Sequence, residues 1–329
     1  MATLYVDEQG SNVYKRDREL IIVKEGVMLE RVPIQQLDHV VLMGRGVQIS
    51  TAMLIDLLER GIPLTITNQT GSRHYATLAP GVSRFAELRT RQLLLLNTPA
   101  PALELARAMI TAKLHNQRTV LASSGWPSAP TAVVQIDAAL SAVQTATSIE
   151  TVRGYEGAAA AAYFGAWRVV LAQTWGFSGR AFYPPTDPVN ALLSFGYTLA
   201  LNDVLSAVQM TGLDPYLGTF HVPEAGRPAL GLDLLEEFRP LVIDRLVLDM
   251  LQRDAISRSD FERPKERPEA VYLTKSGRAL LIERYEGVLN SRVAVGREQT
   301  TWRRAILLQA QAVARVIRGE QAQYVGIQV

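Results

Sequence analysis

Residues 187–212 read DPVNALLSFGYTLALNDVLSAVQMTG, and this stretch contains the start, the period and the end of an α-helix. Asp187 supplies a capping carboxylate, and Pro188 stands at the first helical position, where a backbone N–H is not needed. Gly212 follows the last apolar residue, which is typical of the end of a helix. The stretch therefore predicts a helix over residues 188–210.

The same period of 3.6 residues continues on both sides of this helix, from about residue 83 to residue 318. The predicted helices cover 83–96, 102–121, 131–146, 157–175, 188–210, 232–250, 274–289 and 299–318. Two irregular stretches, 212–231 and 252–270, are rich in proline, glycine and charge. Loops of this length inside a helical domain are often functional.

Residues 1–82 have a different pattern, in which short apolar runs alternate with turn formers and so predict strands. Residues 21–28 predict a hairpin that closes at Gly26. One helix interrupts the strands, beginning at Ser50 or Thr51 and ending at Gly61. The predicted fold is α+β: a β-sandwich-like domain with one helix over 1–82, followed by a larger all-α domain over 83–329.

The composition excludes several classes of protein. With 48% hydrophobic and 20% charged residues, the chain has the composition of a globular protein. It has no cysteine, which excludes disulfides, thiolate zinc sites and cysteine nucleophiles. We expect neither a membrane span nor a secretory signal, and therefore a cytoplasmic protein. The common nucleotide and flavin motifs are missing, so no such cofactor is expected.

The net charge is only +2, so any affinity for DNA must come from local clusters of basic residues. Each candidate cluster is equally consistent with an ordinary solvated face. The clusters are Arg84, Arg89 and Arg91; Arg263, Lys265 and Arg267; and Arg303 and Arg304.

A histidine and an acidic cluster are the first candidates for chemistry. His221 is the histidine, of four in the chain, that lies in an irregular stretch. Asp233, Glu236 and Glu237 follow at helical spacing, which predicts three carboxylates on one helical face. The pattern fits a metal site, and it also fits a surface helix whose first turn is acidic. Pro240 removes the hydrogen-bond partner of the Glu236 carbonyl, which predicts a kink.

Glu156 is a further candidate, placed directly before the predicted helix over 157–175. The alanines at 158–162 would let another helix pack closely, so this glutamate would be partly buried. A buried carboxylate needs a cation or a hydrogen-bond donor to remain charged. Simple capping of the helix, or an ion pair with Arg153, would explain Glu156 equally well.

Four long motifs in the same order resemble the CRISPR-associated integrase family known as CRISPR-associated protein one. They are RGYEGAA with YF at 153–164, YPPTDPVNALLSF at 183–195, GLDPYLGTFH at 212–221, and LDLLEEFRP at 232–240. The resemblance covers essentially the whole chain. It implies a β-sandwich dimerisation domain, a helical catalytic domain, and a homodimer formed through the first domain. It also implies a small companion adaptation protein that bridges two such dimers.

Position by position, the resemblance makes Glu156, His221 and Glu236 metal ligands and Asp233 an assisting acid that orients water or a second ion. Position 236 carries glutamate where some members carry aspartate. The implied cofactor is Mg²⁺ or Mn²⁺, which oxygen ligands and one imidazole suit.

The implied substrate is double-stranded DNA, both the prespacer and the CRISPR leader–repeat. The implied reaction is the attack of a DNA 3′ hydroxyl on a phosphodiester, which inserts a spacer into the array. Tyr155, Tyr163 and Tyr183 are expected either at the DNA ends or in the core. The alternatives are a catalytically silent DNA-binding scaffold of the same fold and a helical metalloprotein that acts on a small molecule.

Overall fold

The computed structural model describes residues 2–69, 71, 74–78, 85–181, 184–222, 224–296 and 298–329. Its first part contains eight strands and one α-helix. These are β1 (Ala2–Val6), β2 (Asn12–Arg16), β3 (Glu19–Lys24), β4 (Val27–Pro33), β5 (Leu37–Met43), β6 (Gln48–Ile49), α1 (Thr51–Glu59), β7 (Leu64–Thr67) and β8 (His74–Leu78). The predicted boundary between 82 and 83, like Arg84 and Tyr183, lies outside the described residues.

The strands form two four-stranded sheets, with the orders β1-β5-β7-β8 and β4-β3-β2-β6. The predicted hairpin is confirmed, because β3 and β4 pair antiparallel around Gly26, whose φ is 81°. The predicted helix begins where Ser50 Oγ accepts a hydrogen bond from the backbone N–H of Met53 at 3.2 Å. Apolar side chains from both sheets and α1, such as Leu20 and Leu57, form one buried core. The first part is the predicted β-sandwich with one helix.

Helices dominate the rest of the described chain, and the α+β class is confirmed. They are α2 (Ala86–Leu96), α3 (Pro99–Ala122), α4 (Ala129–Thr145), α5 (Ile149–Trp175), α6 (Pro188–Met210), α7 (Ala229–Leu235), α8 (Arg245–Gln252), α9 (Lys275–Asn290) and α10 (Trp302–Arg318). Two short hairpins add to this predicted all-α part. They pair β9 (Phe261–Glu262) with β10 (Tyr272–Leu273) and β11 (Arg292–Val295) with β12 (Glu298–Thr301).

Helix α5 begins eight residues earlier than the sequence predicts. Ser148 Oγ caps it by accepting a hydrogen bond from the N–H of Thr151 at 3.2 Å. Gly154 and Gly157 lower the helix propensity of this turn, but the burial of Val152 and Ala159 overrides that preference. The placement of Glu156 before the helix was therefore wrong, since this residue lies inside α5.

The predicted helix over 232–250 is divided, and Pro240 lies at the division. The α-helix α7 ends at Leu235, and a π-helical segment, Arg239–Asp244, precedes α8. Proline has no N–H to donate to the α-helical pattern of hydrogen bonds, so the backbone adopts the wider turns of a π-helix here. Gly196 of α6 allows the segment to pack closely, because a Cβ there would lie 2.7 Å from the Ile243 side chain.

Helix α6 is the central helix of the second part. By length and composition it could cross a membrane, but 83% of its most apolar 18-residue window is buried inside the protein. The buried side chains include Leu192, Phe195 and Val204. Burial on all sides explains why this helix is apolar all round.

The two parts of the chain are joined by a buried ionic network around Arg303 of α10. Its guanidinium donates to Thr3 Oγ1 at 2.7 Å, to Asp203 Oδ1 at 2.6 Å and to Glu286 Oε2 at 2.6 Å. The side chain of Arg303 is 15% exposed. The expectation of a DNA-binding cluster at Arg303 and Arg304 is therefore wrong for Arg303, which stabilises the contact between β1, α6 and α9.

Residues 324–327 near the C-terminus are tied into the helical core by Glu237. Its carboxyl accepts hydrogen bonds from Tyr324 Oη at 2.5 Å and from the N–H of Ile327 at 2.6 Å. Gly326 makes this approach possible, because a Cβ there would lie 2.6 Å from Glu237 Oε2. Burial raises the pKa of Glu237 to about 8, although the hydrogen bonds oppose that rise.

The raised pKa of Glu237 predicts a pH-dependent loss of stability. The native state holds the proton more tightly than the unfolded chain, so this group stabilises the fold most below pH 4.5 and loses that contribution as the pH rises through about 8. Glu237→Gln resembles the protonated carboxyl and removes the titration. Urea unfolding should therefore show wild type losing stability relative to Glu237→Gln between pH 4.5 and 8. A difference that is independent of pH would contradict this account.

Candidate active site

Three separate segments bring the predicted ligands to one place. Glu156 lies on α5, His221 lies in the loop before α7, and Glu236 lies in the turn after α7. His221 Nε2 is 3.6 Å from Glu236 Oε1. Glu156 reaches the same place through Lys113 of α3, whose Nζ is 2.5 Å from Glu156 Oε1 and 2.6 Å from Glu236 Oε2. The tertiary structure thus brings together three predicted ligands, of which the first and the last, Glu156 and Glu236, are 80 positions apart in the sequence.

Glu237 does not belong to this group. The expectation of three carboxylates on one helical face fails because α7 ends at Leu235, before the acidic pair. In the turn that follows, Glu236 faces Lys113 and Arg239, whereas Glu237 faces the C-terminal segment.

Glu236 is charged in spite of its burial. Its side chain is 3% exposed, and burial alone would raise its pKa. Arg239, Lys113 and His221 outweigh that effect and lower the pKa of Glu236 to about 2. Burial likewise opposes the charge of Lys113, but Glu236 and Glu156 raise its pKa. Glu236 and Lys113 therefore form an ion pair inside the pocket.

Asp233 organises the loop that carries His221. Its buried carboxylate accepts hydrogen bonds from the N–H groups of Thr219, Phe220 and His221 at 2.6, 2.9 and 2.8 Å. His221 Nδ1 also lies 2.7 Å from Asp233 Oδ1. Because Asp233 is an acceptor, Nδ1 donates, and Nε2 keeps the lone pair that a ligand needs. Both oxygens of Asp233 are occupied, which does not fit the expected role of orienting water or a second ion.

Arg153 connects the same loop to α5. Its Nε and a terminal guanidinium nitrogen donate to the carbonyl of Phe220 at 2.8 and 2.5 Å. The alternative that Arg153 pairs with Glu156 is not observed, since its carboxylate partner is Glu150 at 3.4 Å. Arg153 therefore fixes the position of the His221 loop relative to the helix that carries Glu156.

The three predicted ligands are chemically suitable for a divalent ion, but the present distances between them are too long for them to share one. Two carboxylates and a neutral imidazole nitrogen are suitable ligands for Mg²⁺ or Mn²⁺. Glu236 Oε2 is buried and accepts no hydrogen bond of good geometry, even though Lys113 Nζ is close. Among the residues that the structure describes, no three acidic or histidine side chains lie close enough together to hold an ion. The Lys113 ammonium lies between two of the expected ligands.

Basic side chains line the cavity of the site. A cavity of about 700 Å³ contains Glu156, His221 and Glu236 and is also lined by Arg168, Arg180, Arg227 and Arg239. None of the described basic residues that the sequence singled out is among those lining this cavity, and two of them bind backbone carbonyls of this chain. Arg89 donates to the Gly212 carbonyl, and Arg263 donates to the Pro268 carbonyl. Since the four cavity arginines come from distant segments, no run in the sequence indicated them.

Two tyrosines hold a second buried carboxyl beneath the site. Tyr163 Oη donates to Asp244 Oδ2 at 3.0 Å, and Tyr197 Oη donates to Asp244 Oδ1 at 2.6 Å. Burial raises the pKa of Asp244 to about 6, while the two hydroxyls oppose the rise. Tyr163 is fully buried and belongs to the core. Tyr197, which the sequence did not single out, lies under the guanidinium of Arg239, 4.8 Å from its ring centroid.

The geometry predicts that Asp233→Asn loosens the His221 loop. An amide has one acceptor oxygen, and its NH₂ would face backbone donors, so unfolding free energy should fall by about 1–3 kcal/mol. Urea unfolding measures the loss, and hydrogen exchange should accelerate at residues 219–221. Asp137→Asn, which removes one half-exposed ion pair with Arg118, is the matched control. Unchanged exchange at residues 219–221 would argue against the anchoring role.

Comparison with known proteins agrees with this architecture. The family model for CRISPR associated protein Cas1 matches residues 4–287. The CRISPR-associated endonuclease Cas1 1 of Thermus thermophilus is 36% identical over 86% of this chain and 85% of its own. The CRISPR-associated endonuclease Cas1 2 of Rhodospirillum rubrum is 32% identical over 98% of this chain and 96% of its own.

Solved structures show the same fold at lower sequence identity. A Cas1 protein from Thermotoga maritima has a TM-score of 0.84 at 22% identity, covering 100% of both chains. A casposase bound to integration product has a TM-score of 0.85 at 20% identity, covering 99% of this chain and 93% of its own. A Cas6-RT-Cas1–Cas2 complex has a TM-score of 0.84 at 22% identity, covering 99% of this chain and 36% of that one. Taken with the family match, these findings show that the chain belongs to the Cas1 family of CRISPR-associated proteins.

Proposed function

We propose that this chain is a metal-dependent DNA integrase and endonuclease of CRISPR adaptation. In this role it inserts spacer DNA by directing a DNA 3′ hydroxyl onto a phosphodiester of the array. The observation that carries the proposal is the convergence of Glu156, His221 and Glu236 in a cavity that is also lined by arginines. Support also comes from two relatives that are named endonucleases and from a casposase that is similar in fold and is bound to integration product.

In this proposal Glu156, His221 and Glu236 hold Mg²⁺ or Mn²⁺. When bound, such an ion lowers the pKa of an attacking hydroxyl and neutralises charge on the phosphoryl oxygens. The residues of the chain prepare the site. Asp233 acts as a positioning residue, because it holds the imidazole with Nε2 turned towards Glu236. Arg153 holds the loop backbone at Phe220.

The cavity arginines would hold the phosphate backbone of double-stranded DNA, of both the prespacer and the leader–repeat. Guanidinium groups bind phosphate oxygens in a forked geometry and carry little base specificity. Arg239 is well placed for this, because it contacts Glu236 at 3.0 Å and lies over Tyr197. A phosphate bound there would lie beside the proposed metal ligands.

A catalytically silent DNA-binding scaffold of the same fold is the second candidate. The scaffold would need the arginines of the cavity but not an ordered imidazole. The five hydrogen bonds that Asp233 accepts from the His221 loop favour the enzyme. A helical metalloprotein that acts on an uncharged small molecule would have no use for four arginines around the site.

Removal of the imidazole distinguishes enzyme from scaffold. Strand transfer into supercoiled plasmid with Mg²⁺ or Mn²⁺ should fall at least about a hundredfold in His221→Ala, because a ligand and its oriented lone pair are lost. DNA binding, measured by fluorescence anisotropy, should change little. His115→Ala is the control, since it removes a histidine of α3 that does not line the cavity. Full activity in His221→Ala would overturn the site assignment.

We also propose that two copies associate through the β-domain. Strand β4 is an edge strand of its sheet, and Val27, Met28 and Leu29 are 63%, 57% and 48% exposed. Three consecutive exposed apolar residues on an unpaired edge favour association with a second copy. In this proposal a small companion adaptation protein bridges two such dimers. A solved complex of similar fold, Cas6-RT-Cas1–Cas2, contains Cas2 as a partner.

Disruption of this edge should shift the oligomeric state. Met28→Asp places a charge in the proposed interface, so light scattering after size-exclusion chromatography should show a monomer where wild type shows a dimer. Val134→Asp is the matched control, because Val134 is 67% exposed on α4. A dimer that persists in Met28→Asp would place the interface elsewhere.

A further inference from the structure

Lys113 contacts both proposed carboxylate ligands, yet the proposed chemistry assigns it no role. It lies on α3, is 7% exposed, and places its ammonium within 2.6 Å of both proposed carboxylate ligands. We propose that Lys113 is a displaceable internal cation. It holds the two carboxylates together while no metal is bound, and a divalent ion must drive its ammonium out in order to bind. This inference rests on the proposed function of Glu156 and Glu236 as ligands.

The first argument is the need of the two glutamates for a shared counter-ion. Glu156 and Glu236 come from different elements, and their side chains are 19% and 3% exposed, so Glu236 in particular is poorly hydrated. Two carboxylates in such a place repel each other unless a cation lies between them. The Lys113 ammonium contacts an oxygen of each and is the group that meets this need.

The second argument is the positive charge that already lies against the two carboxylates. Lys113 Nζ lies 2.5 Å from Glu156 Oε1 and 2.6 Å from Glu236 Oε2, and Arg239 contacts Glu236 at 3.0 Å. A divalent ion bound to the same two carboxylates would lie beside an ammonium and a guanidinium. Coulomb repulsion at such distances is strong in a poorly solvated site. The ion and the Lys113 ammonium therefore compete for the same carboxylate oxygens.

The third argument is the free space beside the Lys113 side chain. Lys113 lines the cavity of about 700 Å³ that opens beside the cluster. A lysine side chain has a flexible four-carbon stem, so its ammonium can swing into this space without movement of α3. An arginine at this position would be a less mobile counter-ion because its fork is rigid.

Isothermal titration of the full-length protein with MnCl₂ tests the competition. Lys113→Met should bind Mn²⁺ at least about tenfold more tightly than wild type, because the competing charge is gone. Lys113→Arg keeps the charge and should show no such gain. Lys275→Met removes a lysine that is paired with Glu8 far from the site and should bind Mn²⁺ as wild type does. His221→Ala should lose Mn²⁺ binding.

Thermal unfolding gives a second readout on the same proteins. Without metal, Lys113→Met should melt at a lower temperature than wild type, because the two carboxylates lose their counter-ion. With saturating Mn²⁺ its melting temperature should rise by more than that of wild type. A Lys113→Met protein that binds Mn²⁺ with the affinity of wild type, or more weakly, would overturn the proposal.

A third measurement needs no variant and so remains informative if Lys113→Met does not fold. Amine-reactive labelling of wild type, read by mass spectrometry, should modify Lys113 slowly without metal and faster with Mn²⁺, relative to Lys275. An unchanged rate at Lys113 would also overturn the proposal. If the proposed function itself were wrong, the result would differ: neither wild type nor Lys113→Met would bind Mn²⁺.

Discussion

The structure depends on the burial of the Glu236 carboxylate beside Glu156, whose side chain is only 19% exposed, among the helices of the core. Burial of like charges is costly unless opposite charges are supplied at close range. Here Lys113 and Arg239 supply them, and the pKa of Glu236 falls to about 2 although its burial works in the opposite direction. The helices α3 and α5 and the turn after α7 are thus held in register by ionic contacts as well as by apolar packing.

This constraint explains the irregular backbone around the site. A continuous α-helix through residues 232–250 would keep Asp233, Glu236 and Glu237 on one face. The end of α7 and the π-helical segment that includes Pro240 instead let each carboxyl face a different partner. Asp233 binds the His221 loop, Glu236 joins the ionic cluster, and Glu237 binds residues near the C-terminus. One short acidic run therefore serves three structural purposes.

The arginines are likewise divided between structural contacts and the cavity of the site. The net charge of +2 is small, and several arginines are used inside the protein, as Arg303 is between the two parts of the chain. The arginines that line the cavity come from α5, the segment before α6, the loop before α7 and the π-helical segment. A modest net charge is thus compatible with a cavity that is lined by several arginines as well as by carboxylates.

The sequence alone determined the fold class and most elements, because periodicity and capping are local properties. The helix over 188–210 and the hairpin at Gly26 agree with the structure for this reason. It also indicated the candidate ligands through motif resemblance, although their role remains a proposal. The start of α5 was misjudged because the burial of Val152 and Ala159 outweighs two glycines.

Only the tertiary structure decided which charged groups share a pocket. Lys113 and Glu156 are 43 residues apart, and Lys113 and Glu236 are much further apart, so no spacing rule connects them. No spacing rule shows that Glu236 rather than Glu237 contacts Lys113, since adjacent residues in a turn can face opposite directions. Charge neutralisation in a buried site depends on distances across helices, and these distances are set by the packing of the whole core.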